Sequence, residues 1–266
     1  MYWSARSPDE EASSSGRWNG EVAVAVPDAI FADPRLADIY DDVDADRRDL
    51  VHYVAMVEEL AARSVLDVGC GTGTFASLLA GKGLDVIGVD PAVASLNVAR
   101  RKPAGDRVRW VLGDAGAVGP ISVDLATMTG NVAQVFLTDD EWRTNLAAIR
   151  GVLRASGRLA FEVRDPARRG WEEWTRARSH ALVKTAAAGV VETWVELTGV
   201  VLPLVSFRHT YRFDDGSHLT SDTTLRFRER DEIVASLGQA GFLVDDIRDA
   251  PDRPGKEIVF VARRDD

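Results

Sequence analysis

The chemistry in this 266-residue chain is concentrated in three glycines and two aspartates at fixed intervals. Gly69-Cys70-Gly71-Thr72-Gly73 directly follows the apolar run Val65-Leu66-Asp67-Val68 and leads into Thr74-Phe75-Ala76-Ser77-Leu78-Leu79. That is a buried strand, a glycine turn and a helix start, the arrangement that opens a nucleotide-type pocket at the carboxyl end of a parallel sheet. Glycine lets a ligand lie against bare backbone and lets the chain take φ values closed to other residues. A second acid, Asp90, ends the next apolar run, Val86-Ile87-Gly88-Val89. It falls roughly 20 residues after the turn, the separation at which a carboxylate meets ribose hydroxyls. The turn reads G-x-G-x-G, and Thr74 stands where a dinucleotide fingerprint has its third glycine. Asp67 at the strand end repels a phosphate and suits an ammonium group. A ligand with a ribose, a cationic amino-acid tail and no phosphate satisfies all of these features.

Val65 to Gly73 resembles the first motif of the Rossmann-like (class I) S-adenosylmethionine-dependent methyltransferases, small-molecule type. Val86-Ile87-Gly88-Val89-Asp90-Pro91 is similar to their second strand with its ribose-binding acid, and Trp110-Val111-Leu112-Gly113-Asp114-Ala115 to the segment that approaches the adenine. The resemblance implies S-adenosylmethionine as cofactor, S-adenosylhomocysteine as product, and roles for particular residues. Asp67 holds the methionine ammonium; Gly69, Gly71 and Gly73 contact the tail, with Cys70 a small packing residue among them. Asp90 takes both ribose hydroxyls, with Pro91 beside the adenine. Asp114 accepts from the adenine amino group and Ala115 offers its N–H. Asp114 as a plain turn or N-cap aspartate is the competing reading.

Methyl transfer from a sulfonium already has a charged leaving group, so alignment in a dry pocket is the main requirement and a base serves only a protonated or weakly nucleophilic acceptor. Asn131, in Thr129-Gly130-Asn131-Val132-Ala133-Gln134 after the fourth strand, touches the cofactor or faces the methyl. The Asn-Pro-Pro-Tyr run that some amino-group methyltransferases carry there is absent, which counts against adenine- or glutamine-type amine methylation. The competing reading of Asn131 is a polar turn residue satisfied by backbone. Tyr40 and Tyr53 are placed to close over the sulfonium. Base candidates are His209, Glu162 and Tyr40; Glu162 and Arg164 face the same edge, and strand parity alone leaves the direction of His209 open. The spacing of the four histidines and the acids suggests no metal site.

The elements that must position these residues alternate. Strands are expected at 64–68, 86–90, 108–112, 123–128 and 157–163, and helices at 74–81, 92–101 and 139–153. Thr138 and Glu141 form a capping box at the start of the last helix. This alternation implies a doubly wound, mostly parallel seven-stranded sheet with helices on both faces. Leu50, Val54, Val57 and Leu60 recur at helical spacing and predict an N-terminal helical cap over 23–63. From 179 to 228 the residues turn to Val, Thr and aromatics, which predicts an antiparallel β insertion of three or four strands over the active site, after the fifth strand. The methyltransferase domain proper is then 64–178 with 229–266, closing with a helix at 229–240 and strands at 242–247 and 257–262. Residues 1–22 read as a disordered tail from which Trp3 and Trp18 could dock back.

Composition sets the boundaries. Hydrophobic residues make up 45% and charged residues 28%, ordinary globular usage. No apolar run spans a membrane, and Asp9, Glu10 and Glu11 stand where a secretory signal would be apolar, so the expected location is the cytoplasm. A single cysteine rules out an internal disulfide, and a net charge of −10 disfavours nucleic acid. Arg164, Arg168, Arg169, Arg176 and Arg178 form the best local basic cluster. The partner expected is a small-molecule methyl acceptor, with a homodimer left open. Rival readings are a catalytically silent subunit of this fold, a protein or nucleic-acid methyltransferase, and a nicotinamide oxidoreductase, against which the missing glycine and Asp67 count.

Overall fold

The computed structural model describes residues 27–266, so the reading of 1–22 as a disordered tail lies outside the described residues. The chain begins with three helices, α1 (Ala29–Ala32), α2 (Pro34–Val43) and α3 (Asp49–Glu59). Asp33 caps α2, its carboxylate accepting the Arg35 N–H at 2.8 Å, with Pro34 fixing the first turn. Leu50, Tyr53, Met56 and Val57 turn the apolar face of α3 onto the sheet.

Strands β1 (Ser64–Val68), β2 (Asp85–Asp90), β3 (Val108–Leu112), β4 (Val123–Met128) and β5 (Leu153–Arg164) alternate with helices α4 (Thr74–Gly81), α5 (Val93–Ala99) and α6 (Asp139–Val152). The Thr138–Glu141 capping box is present in both directions. After β5 a short helix α7 (Arg176–Ser179) precedes four strands, β6 (Ala181–Thr185), β7 (Gly189–Val201), β8 (Leu204–Arg212) and β9 (His218–Arg226). Helix α8 (Arg230–Gln239) and strands β10 (Phe242–Asp249) and β11 (Glu257–Arg264) complete the chain.

The main sheet runs β3-β2-β1-β4-β5-β11-β10, in which β11 alone runs antiparallel to the other six strands; β6–β9 form a separate antiparallel sheet in sequential order. Because helices cover both faces of the parallel strands, β1 is buried almost throughout. Leu66, Val68, Met128 and Phe161 face α6 and α8, whereas Val65, Leu125 and Ala160 face α3 and α4. The strand order reverses between β1 and β4. Their carboxyl ends therefore flank the crevice where ligands settle in such sheets.

The second sheet is tied to the N-terminal helices and to the edge after β4. Leu36 and Ile39 of α2 pack with Val191, Tyr211 and Phe213. Asp28 accepts from the Thr223 hydroxyl at 2.6 Å, and the Ile30 N–H donates to Ser221 Oγ at 2.9 Å. The Arg228 guanidinium donates to the carbonyls of Phe136 and Thr138. Among the described residues no helix is long and apolar enough to cross a membrane.

Candidate functional site

Side-chain alternation puts Asp67 of β1, Thr127 of β4 and Glu162 of β5 on the α3 face of the sheet. Asp67 pairs in register with Thr127, and Thr127 with Ala160, so Glu162 lies two residues nearer the carboxyl edge. Asp67 is 1% exposed. Its Oδ1 accepts from the Thr127 hydroxyl at 3.1 Å, while its Oδ2 is buried with no partner among the described residues. Burial pushes this carboxyl up to about 7, because charge is disfavoured away from water. A cation that donates to Oδ2 would relieve both penalties.

The three turn glycines take positive φ, +69°, +53° and +75°. They differ in what surrounds them. A Cβ on Gly69 would stand 2.6 Å from Val132, and one on Gly73 2.4 Å from the Trp110 ring and 2.7 Å from the Ala99 methyl. A Cβ on Gly71 would meet nothing within 4 Å. Gly69 and Gly73 are thus demanded by packing as well as conformation, and Gly71 is the one whose missing side chain leaves room for a ligand. Cys70 is buried, with its thiol pushed well up by desolvation. It is a packing residue next to Gly88, where an added Cβ would lie 3.0 Å from Sγ.

Asp90 ends β2 and is 7% exposed. Its Oδ2 accepts the Gly71 N–H and its Oδ1 the Ala92 N–H, both at 2.8 Å. The carboxylate therefore shapes the glycine turn while keeping lone pairs free for hydroxyl donors. Pro91 follows at the half-buried start of the turn into α5. Asp114 is exposed and caps the short 3-10 turn Ala115–Val118, accepting the Gly116 N–H at 2.9 Å; Ala115 beside it is buried. The cap role weighed for Asp114 is realised, and its second oxygen remains at the surface.

Helix α2 is bolted to the glycine turn. Asp41 accepts from the Thr72 hydroxyl at 2.7 Å and the Thr74 hydroxyl at 3.3 Å, and pairs with Lys102 Nζ at 2.6 Å, whose ammonium also reaches Thr74. Replacing Asp41 with Ala should remove about 1–2 kcal/mol of stability, as charge-assisted hydrogen bonds of this kind contribute. The expected loss in melting temperature is roughly 2–6 °C. A thermal melt of Asp41→Ala checks it, and an unchanged midpoint would show that the contact holds nothing.

The edge after β4 and β5 forms the other half of the site. Asn131 sits at φ +63° and is 2% exposed. Its N–H donates to Glu162 Oε1 at 2.7 Å and its Nδ2 to Glu257 Oε1 at 3.1 Å. Arg253 neutralises Glu257 at 2.8 Å. Glu162 is 4% exposed, and desolvation pushes its carboxyl up to about 8, with Glu257 and Asp49 adding to the rise. Glu162, Gly130, Tyr53, Glu257 and Arg253 line a cavity of about 170 Å3 between α3 and the β10–β11 loop.

The other two base candidates fare differently. His209 shares with Phe207 and Tyr211 the face of β8 that turns inward, the ring centroids 6.1 and 5.6 Å away. Burial pulls its imidazole down to about 4, which leaves it neutral and a poor base near pH 7. Tyr40 is half-buried, its ring tilted against Phe31 with centroids 5.4 Å apart, and its hydroxyl donates toward Asp44 Oδ2 at 3.4 Å. Desolvation and the Asp44 charge hold that phenol protonated, which disfavours the base role expected of Tyr40. Tyr53 lines the cavity, its hydroxyl buried without a partner among the described residues and its ring edge-on to Phe75 at 5.9 Å.

The basic cluster is not an open anion site. Arg168, Arg169, Arg176 and Arg178 pair with Asp165, Glu172, Glu192 and Glu173. Arg164 instead meets the Gln134 carbonyl oxygen at 3.3 Å and lies over the Trp174 ring at 5.5 Å. Sequence reasoning missed Asp41, Thr72, Lys102 and Glu257. Their contacts join residues 30 to 126 positions apart, and no local pattern marks them.

Residues 65–157 match the family model described as a methyltransferase domain. Among curated proteins the chain is similar to the cypemycin N-terminal methyltransferase of a Streptomyces species, 33% identical over 44% of this chain and 49% of that protein. The chain spans about half the length of the first curated relatives it matches. Among solved structures it resembles the CcbJ methyltransferase from Streptomyces caelestis, with a TM-score of 0.70 and 23% identity over 87% of this chain and 96% of that one. It also resembles the sugar N-methyltransferase KedS8 from Streptoalloteichus sp ATCC 53650, with a TM-score of 0.68 and 19% identity over 96% and 99%. At these identities the structural likeness carries the fold. Residues 65–157 thus match a methyltransferase domain, and the glycine turn and sheet order show the fold of the solved methyltransferases that the chain resembles.

Proposed function

We propose that this protein transfers the methyl group of S-adenosylmethionine to a nitrogen or oxygen atom of a small molecule by direct displacement. The observation that carries this reading is the pairing of an unfilled buried acceptor, Asp67 Oδ2, with the open face of Gly71 and the carboxylate of Asp90. That set suits an ammonium, a bare-backbone contact and a ribose, and offers nothing to a pyrophosphate. In this reading Asp67 holds the ammonium, Asp90 the two ribose hydroxyls, and the surface oxygen of Asp114 with the Ala115 N–H the adenine. The sulfonium supplies an electrophilic methyl whose leaving group is already charged. Helix α2, bolted through Asp41, excludes water from the turn, and the β4–β5 edge with Asn131 and Glu162 orients the acceptor. The methyltransferase names of the proteins this chain resembles support the reading. The acidic net charge and the self-paired arginines speak for a small acceptor over a nucleic acid.

Tritium transfer from methyl-labelled S-adenosylmethionine to a panel of small amines and alcohols tests the reaction. Incorporation that disappears in Asp90→Ala would support it; tight cofactor binding with no transfer to any class would favour a silent subunit. A proton balance tests the Asp67 assignment separately. Its carboxyl, near 7 when empty, falls when an ammonium pairs with it. Binding at pH 6 should then release about one proton, dwindling toward zero above pH 8.5. Calorimetry in buffers of different ionisation enthalpy reads this directly, and the release should vanish in Asp67→Asn.

A further inference from the structure

Three unfilled hydrogen-bonding atoms belong to Asn131 and Glu162 at the edge after β4 and β5 and to Tyr53 of α3, which lines the same cavity as Glu162. Glu162 Oε2, Asn131 Oδ1 and Tyr53 Oη are buried and have no partner among the described residues. Glu162 and Tyr53 line the cavity of about 170 Å3, and Gly130, next to Asn131, lines it too. The Asn131 amide cannot simply be turned over, because its Nδ2 is committed to the Glu257 carboxylate. Its oxygen therefore waits for a donor, as does Glu162 Oε2 when that carboxyl is ionised. The cavity wall holds five carboxyl groups against two guanidinium groups, so it favours a cation over an anion.

A hydroxyl has a single hydrogen and could satisfy only one of these two acceptors. A primary amine has two N–H donors and a lone pair left over. We propose that this edge takes the methyl acceptor as an amine, held between Glu162 Oε2 and Asn131 Oδ1, with Glu162 receiving the proton the nitrogen gives up. The proposal rests on the methyl-transfer reading above and narrows it from nitrogen or oxygen to nitrogen. An amine that arrives as an ammonium first hands one proton to Glu162 in its ionised form, which later returns it to water. The nitrogen lone pair then forms the bond to the methyl carbon as the carbon–sulfur pair leaves with sulfur, and the new ammonium later loses a proton to water. Desolvation raises Glu162 to about 8, with Glu257 and Asp49 adding and the Asn131 N–H and Arg253 opposing, which suits proton exchange with an amine.

Benzylamine and benzyl alcohol, identical but for the reacting group, are the probes. Their affinities would be measured calorimetrically on the full chain with and without S-adenosylhomocysteine, alongside the 13C shift of the Glu162 carboxyl. Benzylamine should bind about ten-fold more tightly or better, as a charge-assisted contact supplies, and should move the carboxyl titration to lower pH. Glu162→Gln keeps an oxygen for the Asn131 N–H and should erase the preference, leaving S-adenosylhomocysteine affinity within about two-fold. Equal binding of the two probes, or a preference that survives in Glu162→Gln, would overturn the proposal. The carboxyl shift in the unaltered protein stands even if that variant fails to fold. Amine preference without any S-adenosylhomocysteine binding would uphold the amine site and sink the methyl-transfer reading instead.

Discussion

Asp90→Ala lowers the affinity for S-adenosylmethionine by roughly 100- to 1,000-fold, the largest binding effect expected of any single change. Two hydroxyls donating to one carboxylate contribute about 3–4 kcal/mol together, near the low end of the roughly 1.5–3 kcal/mol each that hydrogen bonds to charged groups supply. The structure adds a second consequence. Asp90 also accepts the N–H groups of Gly71 and Ala92 at 2.8 Å, so removing it leaves two backbone donors of the turn without their partner. A stability loss of about 2–3 kcal/mol accompanies the binding loss. Asp90→Asn separates the two, because one acceptor oxygen survives to hold part of the turn while the charge is gone. Its folding should be nearly normal and its affinity still reduced at least ten-fold. Calorimetric titration and chemical denaturation of the two variants give the comparison; affinity retained in Asp90→Ala would remove the ribose assignment.

Gly73→Ala is expected to be the most destabilising single-methyl change in the turn, by about 2–4 kcal/mol. Left-handed backbone at φ +75° costs an alanine roughly 1–2 kcal/mol, and forcing a methyl into a filled space adds a similar amount or more. The space is filled by rigid groups. The Trp110 ring, 2.4 Å from the added Cβ, is pinned through its indole N–H to the Gly105 carbonyl at 2.8 Å, and Ala99 lies on the other side. Gly71→Ala pays only the conformational part, because its Cβ enters open space. The two substitutions should therefore diverge: Gly73→Ala in denaturation midpoint, Gly71→Ala in cofactor affinity with near-normal folding. Equal effects of both on stability would contradict the division of the turn into packing and ligand positions.

That division shows where the sequence is legible and where it stops. The glycine turn, Asp67 and Asp90 could be read because one short segment encodes strand, turn and helix in order. The seven-stranded sheet was readable because its crossovers alternate regularly. The capping box at Thr138 and Glu141 was readable because its two partners are three residues apart. Glu162 is a different case. Its place at a strand end could be inferred, but not its burial against Asn131 and Glu257, residues 31 and 95 positions away. His209 faces inward as its alternation allowed, yet the surrounding Phe207 and Tyr211 strip it of basicity, an effect no spacing rule conveys. Asp41 gives no local sign of its role at all, since its partners Thr72, Thr74 and Lys102 meet it only once α2 has packed onto the sheet.

The central claim is that the turn after β1 and the acid after β2 form an S-adenosylmethionine site. Calorimetric titration of the purified chain with S-adenosylmethionine and S-adenosylhomocysteine, with NADH as control, tests it most directly. Binding of both sulfur ligands at micromolar strength or tighter, about −8 kcal/mol, with no heat from NADH, is the expected result. Binding of NADH, or of none of the three, would contradict it.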